Sequence, residues 1–325
     1  MTRPGPSDGE LRSALEEALA AVGAPAPASI GRQPSEYRTS FPLERLSVGL
    51  DGGGELRLAF KRLDWGALGD DARLAKPRAL HDPRREPAVY SSLLGAAPPG
   101  APVYFGSVAR DDDARWLFVE WVEGRELYQV GERAAWAAAA RWLGGMHAAL
   151  ATGLDRHVRE ARLLQGDAAA YGRWAQRARE FAPDASRPLL NRLAGRYDAV
   201  AEELSALPRT VIHGDFNAAN VLIAGSADEL RVAPVDWESA ATGPGLLDLA
   251  ALVSGDWSSE DREELVAAYA STPGLPPFSV RELDLARLHL AVQWLGWAPP
   301  EWVAPEGQRH DWLADAIALS DRLDI

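Results

Sequence analysis

The stretch His213-Gly214-Asp215-Phe216-Asn217-Ala218-Ala219-Asn220 is followed, 16 residues after Asn220, by Asp236-Trp237-Glu238. An Asp and an Asn five residues apart on an irregular loop between strands can divide two tasks. Asp215 can face an acceptor hydroxyl while Asn220 turns back to a divalent cation. Asp236, at the end of the second strand of a hairpin, adds the hard carboxylate that Mg²⁺ prefers. Phosphoryl transfer asks for this division, because the protein has chiefly to neutralise phosphate charge, hold metal through oxygen ligands and align a hydroxyl. A plain turn at His213 and Asp215, with Asp236 capping a helix, would account for the same residues without chemistry.

The elements that must position these residues fall into two kinds. From about Ile30 to Val122 the pattern is strand-like. Leu46-Ser47-Val48-Gly49-Leu50 alternates, Asp51-Gly52-Gly53-Gly54 turns, and Leu56-Arg57-Leu58-Ala59-Phe60-Lys61 alternates back, which predicts a hairpin. Alternation puts Ala59 and Lys61 on one face and Leu58 and Phe60 on the other. A helix over 8–22 precedes this region, with Ser7 and Glu10 as its capping box. A second starts near Asp82-Pro83 and runs to about Leu94. Trp116 to Val122 is an apolar strand closed by Glu123-Gly124. Beyond Gly124 the periodicity predicts helices at 131–151, 167–181, 185–206, 246–254, 260–270, 280–297 and 308–323. One hairpin, Asn220–Ala224 with Arg231–Val235, interrupts them.

These motifs, in this order, resemble the aminoglycoside phosphotransferase and choline kinase families, relatives of the protein kinases. His213-Gly214-Asp215 to Asn220 matches their H-x-D-x-x-x-x-N loop, and Asp236-Trp237-Glu238 matches the metal-binding triplet. Leu58-Ala59-Phe60-Lys61 matches a V-A-I-K strand, and Val119-Glu120-Trp121-Val122-Glu123-Gly124 resembles a kinase hinge. The resemblance implies an α+β, bilobal protein-kinase-like fold, with a β-rich nucleotide-binding lobe over 1–122 and a helical lobe over 123–325. It implies ATP and Mg²⁺ as cofactors. By position, Asp215 is the catalytic base or orienter, Asn220 and Asp236 are metal ligands, and His213 pins the loop. Ala59 lets adenine approach, Lys61 reaches the α- and β-phosphates, and the backbones of Glu120 and Val122 pair with adenine. Asp248, in Gly243-Pro244-Gly245-Leu246-Leu247-Asp248-Leu249-Ala250, braces the catalytic loop. Glu86 is the expected partner of Lys61, in the first turn of its helix because Pro87 follows.

Two features depart from the protein kinases. No glycine-rich loop covers the phosphates, since Gly52-Gly53-Gly54 is a hairpin turn. That role falls to Tyr37-Arg38-Thr39-Ser40. Gly214 replaces the arginine of H-R-D, and the stretch from Asp236 to Asp248 is too short for an activation segment. Gly214 and the short stretch from Asp236 to Asp248 speak against a protein substrate.

Composition sets the remaining bounds. A net charge of −13 is the wrong sign for a nucleic-acid binder. The chain has no cysteine, so disulfide, thiolate and Cys-metal chemistry are excluded. The N-terminus lacks the apolar core of a signal peptide, and the apolar stretch Ala134–Leu150 is broken by Arg141 and His147. The expectation is a soluble, cytoplasmic protein with no membrane partner. His147 reads as a buried, hydrogen-bonded histidine.

From Ala241 onward there are 14 Asp/Glu against 5 Arg, a net of −9. This acidity is either an ordinary soluble surface or the lining of a site for a cationic substrate. On the second reading Trp294, Trp297, Trp302 or Trp312 walls the acceptor pocket beside Asp311 and Asp315, since indole faces and carboxylates both suit a cationic ring. The expected partner is therefore a small hydroxylated molecule: an aminoglycoside, an amino sugar or another sugar-bearing antibiotic. A kinase for choline, homoserine or a plain sugar is the alternative, and a catalytically silent nucleotide-binding relative is a third.

Overall fold

Ser7 caps the first helix, α1 (Asp8–Ala21), and the Glu10 carboxylate returns to the Ser7 N–H at 2.8 Å, the reciprocal pair its sequence predicts. Leu11, Ala14, Leu15, Ala18 and Leu19 form its buried face. Val22, expected on that face, caps the C-terminus and is exposed. The structure, a computed structural model, describes residues 5–35, 40–111, 113–183, 186–226, 229–297 and 310–325.

Five strands follow: β1 (Pro27–Pro34), β2 (Leu43–Leu50), β3 (Glu55–Arg62), β4 (Tyr104–Asp111) and β5 (Ala114–Glu120). They form one antiparallel sheet in the order β1-β2-β3-β5-β4. The register aligns Leu58 with Leu46, and Phe60 with Phe118. These side chains, with Val48, Val108 and Trp116, pack under α1 as a core of their own. Strand alternation then sends Ala59, Lys61, Leu117 and Val119 to the opposite face, where all four line a cleft. Between β3 and β4 the chain forms two short helices, α2 (Asp70–Ala75) and α3 (Arg85–Ser92).

The remainder is mostly helical: α4 (Arg133–Ala149), α5 (Leu154–Ala161), α6 (Ala168–Phe181), α7 (Arg187–Ala206), α8 (Leu246–Leu252), α9 (Ser259–Ala270), α10 (Val280–Trp297) and α11 (Trp312–Leu323). The expected starts at 185 and 308 lie outside the described residues. Short strands punctuate the helices: β6 (Arg125–Glu126), β7 (Leu164–Gln165), β8 (Arg209–Ile212), β9 (Val221–Ser226), β10 (Glu229–Pro234) and β11 (Ala241–Pro244). They make two small sheets, β10-β9-β6 and β7-β11-β8. The architecture is α+β, a β-rich N-terminal sheet followed by a helical part, with the cleft lined from both. Ala134–Leu150 falls on α4, whose apolar face is buried. Among the described residues, no helix is long and apolar enough to cross a membrane.

Candidate active site

Lys61 leaves β3 into the cleft and its ammonium meets two carboxylates, Glu86 at 2.7 Å and Asp236 at 2.6 Å. Lys61 and Glu86 are buried. Pro87 does stand in the first turn of α3, where a missing N–H costs nothing. Burial works against the Lys61 ammonium, but Asp236 and Glu86 outweigh it and hold its pKa above the ordinary lysine value. Burial also opposes the charge on Asp236, and Lys61 overcomes it, keeping this carboxyl below its usual range. Glu86, deeper and with less compensation, is pushed up to about 7.

The loop carrying Asp215 is pinned from beneath. Asp248, near the start of α8, accepts the backbone N–H of His213 at 2.6 Å and of Gly214 at 2.9 Å. His147 of α4 lies 3.2 Å from the same carboxylate and 2.8 Å from the Tyr269 hydroxyl. A carboxylate can only accept, so His147 donates from Nε2 and takes the Tyr269 proton at Nδ1. His213 Nε2 donates to the Val235 carbonyl at 2.9 Å, and Val235 N–H donates to the Asn220 carbonyl at 2.9 Å, joining the loop to the Asp236 strand. Gly214 is obligatory here. Its φ is +79°, and a Cβ would stand 2.2 Å from the Ser239 carbonyl oxygen. This is the physical reason for glycine where the protein kinases have arginine.

Asp215 receives two side-chain amides, Asn217 at 2.8 Å and Asn220 at 2.9 Å. Burial raises its carboxyl to about 7, aided by Asp236 and Glu238 and opposed by the two amides. Asn220 spends its NH₂ on Asp215, leaving its carbonyl oxygen for a cation. Asp236 adopts a left-handed backbone (φ 66°, ψ 60°), a conformation that costs energy away from glycine and clusters at functional sites. An amide oxygen and a carboxylate lining one cleft make an oxygen donor set of the kind Mg²⁺ takes when substrate phosphates complete its shell. The residues therefore fit the metal.

These groups share one cleft of about 2010 Å³. Ser40, Ala59, Glu120 and Val122 line it with Lys61, Glu86, Asp215, Asn220 and Asp236. Tyr37, Arg38 and Thr39 lie outside the described residues. The Glu120 side chain is committed to Arg231 of β10 at 2.6 and 2.7 Å, which ties the end of β5 to the helical part.

Part of the cleft lining is aromatic. Trp294 and Trp312 stack with ring centroids 5.5 Å apart and planes 6° from parallel, and Trp297 lies 6.0 Å from Trp174. All four line the cleft. Trp302 lies outside the described residues. Asp311 lines the cleft but gives one oxygen to the Ala314 N–H as the N-cap of α11. The structure does not bring Asp315 to the cleft. It sits one helical turn further on and accepts from His310 at 2.8 Å. Two further C-terminal carboxylates are committed elsewhere, Asp261 to Arg133 and to the Ser258 hydroxyl that caps α9, and Asp284 to Arg287 and Arg322.

Three cleft residues were missed in the sequence. Asn217 was read only as spacing within the motif. Glu238 was quoted in its triplet without a role. Lys76, paired with Glu238, had one available signal: it and Lys61 are the only lysines among 34 basic residues.

The phosphotransferase enzyme family, APH, matches residues 52–289, a span that contains the whole set from Lys61 to Asp248. No curated protein matches the chain. Among solved structures, the microcompartment-associated aminopropanol kinase superposes with a TM-score of 0.62 at 18% identity, covering 94% of this chain and 96% of the other. The GDP complex of wild-type aminoglycoside 2'-phosphotransferase-IIIa gives 0.59 at 13%, covering 98% of each. A macrolide 2'-phosphotransferase from Brachybacterium faecium gives 0.55 at 18%, covering 94% and 97%. At these identities the structural likeness establishes the protein-kinase-like fold, and the family match reaches further. The chain belongs to the phosphotransferase enzyme family.

Proposed function

We propose that this enzyme moves the γ-phosphate of ATP, with Mg²⁺, to a hydroxyl of an aminoglycoside, an amino sugar or another sugar-bearing antibiotic. The observation that carries the reading is the meeting of Lys61, Glu86 and Asp236 in the cleft that also holds Asp215 and Asn220. Residues 1–122 serve as the nucleotide lobe, with Ala59, Glu120 and Val122 around adenine, Ser40 over the phosphates and Lys61 on their oxygens. Residues 123–325 carry the catalytic loop and the acceptor site. Mg²⁺ bound by Asn220 and Asp236 would neutralise charge on the transferring phosphate. Asp215, held by Asn217 and Asn220, orients the acceptor hydroxyl and takes its proton. The complete set of groups argues against a silent relative. A lack of cysteine suits the cytoplasm, where ATP and Mg²⁺ are at hand.

For the acceptor, a structure of this fold holds GDP and kanamycin together, and indole faces such as Trp294 and Trp297 suit a sugar ring. A second reading, a metabolic kinase for a small amino alcohol, draws on the likeness to the aminopropanol kinase and on the commitment of Asp315 to His310. The test is a panel of aminoglycosides, macrolides, amino sugars and amino alcohols, scored by Mg²⁺-dependent ADP release and by mass spectrometry of the product. A phosphorylated amino sugar or antibiotic supports the first reading, and phosphorylation of amino alcohols alone moves the assignment to the second. ADP release without any phosphorylated acceptor contradicts both.

A further inference from the structure

Arginine outnumbers lysine 32 to 2 in this chain, and both lysines are buried in the same cleft, Lys61 at 6% and Lys76 at 7% exposure. Burial alone does not call for lysine here, because Arg62 and Arg85 are buried just as deeply. Two ammoniums among so many guanidiniums point to sites where a compact, hydrated point charge is needed rather than a planar fork. Lys61 and Lys76 flank one ring: their ammonium nitrogens stand 5.7 and 4.7 Å from the centroid of Phe41.

Their partners differ. Lys61 is held by two hydrogen-bonded carboxylates. Lys76, at the C-terminus of α2, pairs with the Glu238 carboxylate, and among the described residues its Nζ, which carries three donors, has no other hydrogen-bond partner. The nearby His81 Nε2, on a ring 5.7 Å from Phe41, is buried without one. The scaffold beneath is firm: Arg85 donates to the Glu238 carbonyl and to the Leu80 carbonyl at 2.9 Å. A buried ammonium with unused donors facing a cleft is costly unless something else fills them. Glu238 lies two residues past Asp236, and the Lys76 charge acts on Asp236 while the Glu238 charge acts on Asp215. Lys76 and Glu238 line the cleft together with Asp215, Asn220 and Asp236.

We propose that Lys76 is a second phosphate-binding cation, which takes an oxygen of the terminal phosphate while Lys61 serves the inner ones, with Glu238 holding it in place between turnovers. This rests on the nucleotide reading above. The test compares binding of ADP and of a non-hydrolysable ATP analogue, each with Mg²⁺, by titration calorimetry. Lys76→Met keeps the aliphatic stem over Phe41 and removes the charge. The analogue should then bind about ten- to a hundredfold more weakly, the scale of one charge-assisted contact, while ADP affinity stays near wild type. Lys76→Arg should recover part of the loss. If Lys76→Met does not fold, the double variant Lys76→Met/Glu238→Gln, which strands no charge, is titrated against Glu238→Gln alone with the same expectation. Equal weakening of both nucleotides, or no change in either, overturns the assignment and leaves Lys76 a structural partner of Glu238. A wild-type chain that binds neither nucleotide removes the nucleotide reading itself, and this inference with it.

Discussion

At the phosphate end of the cleft most polar groups have a fixed partner. Asp215 is held by two amides, Asp236 and Glu86 share Lys61, and the loop beneath hangs on Asp248 through two backbone amides. The acceptor end is built differently. Its lining includes Trp294 stacked on Trp312, and the Asp311 carboxylate that also lines it is half spent as a helix cap. Hydrogen bonds fix atoms to tenths of an ångström, whereas stacked rings offer area and shape. In the proposed function one end serves a single reaction, and the other serves recognition that can change without disturbing it.

The comparison can be broken from either side. The largest effect is expected at the phosphate end. Asp236→Asn keeps a side chain that tolerates the left-handed backbone but offers the metal a neutral oxygen. The Mg²⁺ concentration for half-maximal rate should rise about tenfold or more, the scale of losing one charged contact. An unchanged Mg²⁺ titration would remove Asp236 from the metal site.

A smaller effect is expected beneath the acceptor end, where His289 is buried 2.6 Å from the Tyr197 hydroxyl. Burial lowers its pKa from 6.5 to about 3. A histidine held neutral in the fold and free to protonate when unfolded gives stability that is complete above pH 6.5 and falls as the pH drops towards 3. The slope is about 1.4 kcal/mol per pH unit in that window. His81, lowered to about 4 by burial and by Arg78 and Lys76, should steepen the fall above that pH. Urea unfolding at several pH values measures the slope, and His289→Gln should flatten it by about one proton. An equal slope in the variant would mean that His289 is already protonated in the folded chain.

The smallest effect concerns charge at the aromatic end. Asn caps helices as well as Asp, so Asp311→Asn should preserve α11. It should raise KM for a cationic acceptor by no more than about fivefold, the scale of an exposed ion pair, with KM for ATP unchanged. Charges further off are screened over about 8 Å at physiological salt, so Asp315→Asn and the control Glu263→Gln should match wild type. A large KM change in Asp315→Asn alone would contradict the placement of that residue.

The same contrast decides what could be read in the sequence. The helices that became α4, α6, α7, α9 and α10 are long and periodic, and their predicted ends fall within about two residues of the observed ones. α5 was missed because Leu-Asp-Arg-His-Val-Arg-Glu-Ala is polar, with only His157 and Ala161 buried. β7 is two residues long and exists only because β11 pairs with it, a contact no local pattern announces. In the site, Asp215 and Asn220 were legible because their hydrogen bond closes within five residues. Lys61 and Asp236, 175 residues apart, were each assigned through family resemblance, which named Glu86 as the partner of Lys61 and did not anticipate the direct pair with Asp236. Lys76 belongs to no such pattern and Glu238 stood in its triplet without a role, and only folding brings them together. At the acceptor end, composition suggested free carboxylates. Capping takes one oxygen of Asp311 and His310 takes Asp315, which net charge cannot reveal.

The claim at the centre is that Asp215 acts on the acceptor while other groups hold the nucleotide. It is tested most directly by comparing Asp215→Ala with wild type for Mg²⁺-dependent phosphoryl transfer and, in the same preparation, for nucleotide affinity. The account predicts a kcat lower by about 10² or more, the contribution of a positioned acid or base, with nucleotide affinity nearly unchanged. Transfer within a few-fold of wild type would contradict it.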